Sequence, residues 1–119
     1  MNRWIVEATE LLNRNWVKPA AGKAEVYLLK DNDKDINEIL MGYVVAERLL
    51  ETTILNIHKQ KDWPSEEDES NLDLAIKLAR AVIPKDHPLL FSFLQKASYY
   101  REDLNEEVAQ LKQGFGIRG

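Results

Sequence analysis

The stretch INEILMGYVVAERLLETTILNIHKQK, residues 36–61, decides the fold of this chain. Its apolar residues recur at three- and four-residue spacing for about six turns, which is the period of an amphipathic helix. Gly42 either weakens this helix or lets another helix approach it closely. The positions that we expect to face the core are Ile39, Leu40, Tyr43, Ala46, Leu50, Ile54 and Ile57.

The residues before this stretch predict where the helix begins. The polar run Asp31-Asn32-Asp33-Lys34-Asp35 indicates a turn followed by an N-cap. Its acidic residues suit the positive end of a helix dipole. The helix is therefore expected to begin at Ile36.

The amino-terminal part of the chain predicts one helix and one ambiguous segment. A first helix opens at Asn2, and Lys18-Pro19 predicts its end because the residue before proline is pushed out of the helical region. Residues 20–30 fit a short helix or a strand, and we favour the helix because a lone strand would have no ladder partner. The inward face of the first helix carries Trp4, Ala8, Leu11, Leu12 and Trp16.

Two more helices are expected on the carboxy-terminal side. Ser65 followed by Asp68 predicts a capping box, and the helix after it should run to Ile83, just before a proline. The last helix is predicted over 86–113. Its seam repeats every seven residues, as in a helical bundle, through Leu90, Leu94, Ala97, Arg101, Leu104, Val108 and Leu111.

The start of the last helix depends on a proline. Pro88 is tolerated in a first helical turn, where its missing N–H has no partner to lose. Asp86 or His87 is then the capping residue.

Together these segments predict an all-α fold, an antiparallel bundle of four main helices with a short extra helix or extended segment after the first. A chain of 119 residues has the size of one domain, so residues 1–119 are expected to form a single helical-bundle domain. The segments 36–61 and 86–113 should pack antiparallel at about 20°, since short connections leave few alternatives.

The amino-acid composition argues against several kinds of binding site and cellular location. The absence of cysteine excludes disulfides and thiolate metal sites, and is compatible with a reducing compartment. A formal net charge of −4 argues against a general affinity for nucleic acid, because phosphate binding uses clustered Lys and Arg. No apolar run reaches the roughly 18 residues that a membrane span needs, and Glu7 comes too early for a signal peptide. We expect a cytoplasmic protein with no membrane partner.

The acidic run before the long helix resembles the start of a calcium-binding loop only superficially. Asp31, Asp33 and Asp35 occupy the first three ligand positions, but Ile36 stands where the loop needs glycine and Gly42 where it needs a bidentate glutamate. The run is therefore interpreted as a capping turn.

The two histidines do not predict a metal site. Neither His58 nor His87 has a glutamate three residues before it, as di-iron bundles require, and no spacing predefines a zinc site. We expect no metal, no cofactor and no catalytic constellation. One enzymatic alternative stays open: Arg80 and His87 have a spacing reminiscent of the arginine–histidine pair of some helical-bundle ribonucleases.

A polar pair is predicted inside the bundle. Glu47 lies between Tyr43, Leu50 and Ile54 by helical phase, and Arg101 is the one charged residue in the last seam. Our hypothesis is that these two form a partly buried ion pair that fixes the helix register. The alternative is that both side chains extend to water at the rim.

Large aromatic and arginine residues mark candidate contacts for a partner, since such residues are enriched at interaction hot spots. The candidates are Trp63, Tyr99, Tyr100, Arg101 and Phe115. The tail that follows Phe115 is either a frayed end or a small binding peptide.

The sequence as a whole favours a small non-catalytic interaction module, that is, a subunit, adaptor or inhibitor that presents a helix face to another protein. The expected partner is another protein, and a second copy of the chain is one candidate. The alternatives are an RNA-cleaving bundle that uses Arg80 and His87, and a nucleic-acid-binding accessory protein that uses Lys and Arg of the last helix and tail.

Overall fold

The computed structural model describes residues 2–30, 33–60 and 64–115. Within these ranges the chain forms helices and no strand, so the predicted all-α class is confirmed. The segment 20–30, for which helix and strand both fit the sequence, lies mostly in a helix. The elements are α1 Arg3–Asn13, α2 Val17–Leu28, α3 Ile36–Gln60, α4 Glu66–Val82, α5 Pro88–Ser98, a 3-10 turn Glu102–Leu104, and α6 Asn105–Gly114.

The predicted capping residues start three of these helices. Asp35 and Glu38 cap α3 reciprocally: the Glu38 N–H donates to Asp35 Oδ1 at 2.9 Å, and the Asp35 N–H donates to Glu38 Oε1 at 3.2 Å. Ser65 and Asp68 form the predicted capping box of α4. His87 caps α5, because its Nδ1 accepts from the Leu89 N–H at 3.1 Å. Each cap satisfies helical N–H groups that would otherwise lack a partner.

The helices α1 and α2 run in opposite directions. Glu7 of α1 pairs with Lys23 of α2, while Trp4 stacks on Tyr27 with ring centroids 5.8 Å apart. As the residue number rises along α1, the number of the facing residue in α2 falls, so the two helices are antiparallel. Leu28, the last residue of α2, then packs against the beginning of α3.

The helices α3 and α4 form the most extensive helix pair of the molecule. Near one end, Asn56 Nδ2 donates to Asp68 Oδ1 at 2.9 Å, and near the other end Val82 packs over Gly42. These contacts also require opposite directions. The helix α3 also contacts α1 and α2, and α2 contacts α4, so α2, α3 and α4 pack against one another.

Gly42 is where α2, α3 and α4 approach one another most closely. An added Cβ would lie 2.6 Å from Leu28 Cδ1 and 2.7 Å from Val82 Cγ1. We expect Gly42→Ala to lower the free energy of unfolding by about 1–3 kcal/mol through overpacking. The control is Gly22→Ala in α2, where an added Cβ would have no atom of another helix within 4 Å. That change should raise stability by about 0.5–1 kcal/mol through helix propensity.

Urea denaturation followed by far-ultraviolet circular dichroism measures both glycine variants. A loss at Gly22 as large as that at Gly42 would contradict the close approach of the three helices.

The predicted end of the first helix is wrong. The helix α1 stops at Asn13, and Asn15 adopts a left-handed conformation with φ of 61°. The Trp16 N–H bonds to the Leu11 carbonyl and the Asn15 N–H to the Leu12 carbonyl, which is a Schellman motif. Lys18-Pro19 then falls in the first turn of α2, where proline loses no hydrogen bond.

The predicted uninterrupted helix over 86–113 is also wrong. The chain leaves α5 at Tyr99, becomes extended at Arg101 and turns back into α6. The fold-back brings Phe115 to a ring-centroid distance of 5.9 Å from Phe91. It also lets Val108 and Leu111 pack against the core instead of projecting beyond it.

The main neighbours of α3 are α4 and α2, and not the segment 86–113. α5 packs on α4, and α6 lies beside both helices.

Candidate protein-interaction surface

The first half of α3 carries aliphatic side chains on its outward side. The capping pair Asp35 and Glu38 starts the helix at Ile36, so Ile36, Leu40 and Val44 follow one another at four-residue spacing on the same side. Their exposed fractions are 64%, 55% and 43%. We call these three residues the α3 stripe.

The opposite side of the same helix explains why the α3 stripe stays outside. Gly42, Val45, Ala46 and Leu49 are buried against the neighbouring helices. The helices α1, α2 and α4 that contact α3 leave the side with Ile36, Leu40 and Val44 exposed. The inward position that we predicted for Leu40 is therefore wrong.

The α3 stripe borders a shallow depression between α1 and α3. Its lining is mainly apolar and consists of Ile5, Asn37, Leu40, Met41 and Val44. Isolated exposed aliphatic residues are ordinary on protein surfaces, whereas adjacent ones beside an apolar depression are a candidate for contact with a partner.

Charged residues flank the α3 stripe at both ends. Arg48 lies one turn beyond Val44, and its guanidinium donates to Asn15 Oδ1 at 3.0 Å. Among the residues that the structure describes, Arg48 has no carboxylate partner. Asp33 precedes Ile36 at the other end of the α3 stripe and is exposed. It makes no hydrogen bond or ion pair with any residue that the structure describes.

Glu47 and Arg101 are not brought together, contrary to our hypothesis. The Glu47 carboxylate accepts from the Tyr43 hydroxyl one turn away, which raises the pKa of Tyr43. Arg101 Nε donates to Asp103 Oδ1 at 3.0 Å, and its guanidinium lies 3.6 Å from Asp73 Oδ1. Arg101 pairs with Asp103 instead of Glu47 because Asp103 is only two residues away in the chain and the turn after α5 brings the two side chains together.

The aromatic candidates separate into different environments. Tyr99 is exposed, but Tyr100 is half-buried with its hydroxyl 2.7 Å from His58 Nε2. Phe115 is half-buried against Phe91. Trp63 lies outside the described residues. Of the candidates that the structure describes, only Tyr99 presents most of its ring to solvent, and the role of the set in binding stays a prediction.

Arg80 and His87 each have a structural contact. Arg80 makes a bidentate pair with Glu107 of α6, with N–O distances of 2.7 and 2.6 Å. This pairing lowers the pKa of Glu107 and raises that of Arg80. The His87 ring accepts the hydrogen bond that caps α5, which requires Nδ1 to carry no proton. The ribonuclease alternative stays a prediction without support from these contacts.

The described residues hold no group of three or more His, Cys, Asp or Glu side chains placed to bind a metal ion. In the same ranges, no helix combines the length and apolar character needed to cross a bilayer. Comparison with protein-family models, curated proteins and solved structures finds no match to this chain.

The α3 stripe is not among the interaction candidates that the sequence pattern predicted, although a signal for it exists. Between Ile36 and Ala46, apolar residues occur around the whole circumference of the helix, whereas Glu47, Arg48, Glu51 and Thr52 occupy the outward side further on. An apolar helix half that exceeds the width of one buried face indicates a second contact.

Proposed function

We propose that this chain is a non-catalytic protein–protein interaction module, and that its docking surface is the α3 stripe with the adjoining depression. The observation that carries the proposal is the alignment of three half-exposed aliphatic side chains beside apolar Ile5 and Met41. Anchors at four-residue spacing are how a helix face is recognised by a protein partner. In this proposal α1–α4 act as an antiparallel four-helix bundle that holds the surface in place.

The energetics favour docking through this surface. Covering the exposed half of an aliphatic side chain contributes about 1 kcal/mol or more. Ile36, Leu40 and Val44 sit on a capped helix of 25 residues, so their backbone has little freedom left to lose on binding. A rigid row of anchors can therefore support specific binding despite its modest area.

A photo-crosslinking residue placed at Leu40 tests this function in living cells. The matched control is Leu55, a leucine of the same helix that is 61% exposed but lies far from the α3 stripe. We expect irradiation to produce a protein adduct from position 40 and little or none from position 55. The absence of an adduct at position 40, or equal adducts at both positions, would contradict the proposal.

A further inference from the structure

We propose that two copies of this chain exchange α6, so that α6 of each copy packs on α4 and α5 of the other. In this dimer the turn between α5 and α6 is straightened into one continuous helix. The surface that receives α6 is the one that the chain's own α6 covers, where Phe115 contacts Phe91. Exchange of an identical element is a low-cost route to a dimer. This inference does not use the α3 stripe and goes beyond the proposed function.

The sequence of the turn between α5 and α6 suits a helix as well as a turn. The apolar seam that begins at Leu90 and ends at Leu111 keeps its phase through Arg101. Residues 99–104 contain no proline or glycine, and arginine, glutamate and leucine are good helix formers. A straight helix would therefore keep the whole seam on one side, as a pair of long packed helices requires.

Straightening the turn requires a large backbone change at few residues. Tyr99 and Asn105 already have helical backbone angles, and the 3-10 turn Glu102–Leu104 lies close to them. Arg101 differs, because its φ of −136° and ψ of 95° are extended. A return of the segment around Arg101 to helical angles joins α5 and α6 into one helix over 88–114, about 40 Å long.

The contacts of α6 can be made equally well between two copies. The helix α6 runs back along α5, since Phe115 at its end contacts Phe91 near the beginning of α5. Two straight helices that are antiparallel about a two-fold axis at the turn place Phe91 of each copy against Phe115 of the other. The Arg80–Glu107 ion pair between α4 and α6 is likewise formed again between the copies. None of the described residues of α6 is fully buried, so α6 leaves its own chain at modest cost.

One ion pair favours the folded-back form. Arg101 Nε and Nη2 donate to Asp103 Oδ1 and Oδ2, each at 3.0 Å. Side chains two residues apart point to different sides of a helix, so this pair is lost when the turn straightens. A dimer loses one such pair in each copy. We therefore expect a monomer at low concentration and exchange of α6 at high concentration.

Two substitutions in the turn should change association in opposite directions. Asp103→Ala removes the pair with Arg101 and should strengthen association about tenfold, because the dimer then has no exposed pair to lose in either copy. Glu102→Pro should prevent association, since proline breaks a helix interior. Proline fits the folded-back turn, where Arg101 is already extended and the Glu102 N–H donates no hydrogen bond to any residue that the structure describes.

Sedimentation equilibrium over a roughly hundredfold range of concentration compares these variants with the unaltered chain after refolding from urea. We expect the mass of the unaltered chain to rise from 13.8 kDa toward twice that value, while Glu102→Pro stays at the mass of one chain. Circular dichroism confirms that each variant is helical. A folded Glu102→Pro variant that associates like the unaltered chain would overturn the inference.

A pair of charge reversals distinguishes exchange of α6 from any other contact between copies. Arg80→Glu and Glu107→Arg each place like charges between α4 and α6 of the same chain. In an exchanged dimer with one chain of each variant, α4 of each copy meets an opposite charge on α6 of the other. Refolding the two variants together should therefore give mainly mixed dimers, which native mass spectrometry detects. A chain that carries both reversals is the control and should behave like the unaltered protein.

These outcomes decide the inference independently of the proposed function. An excess of mixed dimers over dimers of either variant alone supports exchange of α6. An unaltered chain that keeps the mass of one chain at every concentration overturns it, as do dimers that mix no more often than chance. The photo-adduct at position 40 tests the α3 stripe separately, so the proposed function stands or fails whatever the mass measurements give.

Discussion

Replacing Trp4 with alanine is expected to lower the free energy of unfolding by about 3–5 kcal/mol, the range for truncating a buried aromatic side chain. Trp4 is buried between α1 and α2 and stacks on Tyr27 at a centroid distance of 5.8 Å. Its indole Nε1 has no hydrogen-bond partner among the described residues. The stabilisation therefore comes from apolar contact and stacking, which alanine removes.

Trp16→Ala provides the matched control. Trp16 is 53% exposed, and its ring lies 5.5 Å from the Arg14 guanidinium carbon. Losing an exposed cation–π contact costs about 0.5–1 kcal/mol, so this variant should remain close to the unaltered protein. Urea denaturation followed by circular dichroism compares the two variants without relying on tryptophan fluorescence. Equal losses would contradict the different burial of the two rings.

Replacing Asp68 with alanine should have the second largest effect, a loss of about 2–3 kcal/mol. Asp68 is a buried carboxylate at the start of α4. It accepts from Asn56 Nδ2 at 2.9 Å and from the Ser65 N–H at 3.1 Å. Alanine removes both acceptors, so the bond to the Ser65 N–H and the bridge to α3 are lost together, while the N–H at position 68 keeps its bond to Ser65 Oγ.

Glu38→Ala is the matched control for Asp68. Glu38 occupies the same place in the capping pair of α3, but its bond to the Asp35 N–H is exposed and makes no bridge to another helix. We expect a loss of about 0.5–1 kcal/mol there. Thermal or urea unfolding at neutral pH measures both, and a control loss equal to that at Asp68 would contradict the role of burial and bridging.

The Asp68 carboxylate also predicts a pH dependence. Burial raises its pKa, but the hydrogen bonds from Asn56 and Ser65 outweigh burial, so the net shift is downward. A folded-state pKa below the unfolded value means that the stabilisation is present above about pH 4 and is lost as pH falls further. Since other carboxylates titrate nearby, the test compares the unaltered protein with Asp68→Asn. The variant should lose less stability on acidification, and identical acid profiles would contradict the shift.

The starts of α3, α4 and α5 were predictable from the sequence because they depend on local chemistry. Asp35, Ser65 and His87 accept hydrogen bonds from N–H groups two or three residues away, so the interaction partners are already adjacent in the chain. The close approach at Gly42 was one of two alternatives, and the structure decides it through Leu28 and Val82.

The helix ends were predicted less well because they depend on residues that fit two roles. Proline at position 19 follows a helix-ending pattern but also suits a first turn, and the left-handed Asn15 places the boundary before it. No proline or glycine near Tyr99 indicates that the helix ends there. The break lets α6 fold back and pack against α5 and the core, and the spacing of apolar residues along the sequence does not reveal those contacts.

The candidate surface was missed for a related reason. Periodicity identifies that Leu40 lies in an apolar segment, but not which side of a broadly apolar helix turns inward. That choice depends on Gly42, whose lack of a side chain lets α2 and α4 pack against one side of α3. The α3 stripe then remains on the other side.

Labelling of single introduced thiols tests most directly whether the α3 stripe is covered by protein. Since the chain has no cysteine, Leu40→Cys and Leu55→Cys each report on one position. We expect a membrane-permeant maleimide to react several-fold more slowly at position 40 than at position 55 in intact cells, and at similar rates in the dilute purified chain. Equal rates in cells would contradict a docked partner on the α3 stripe.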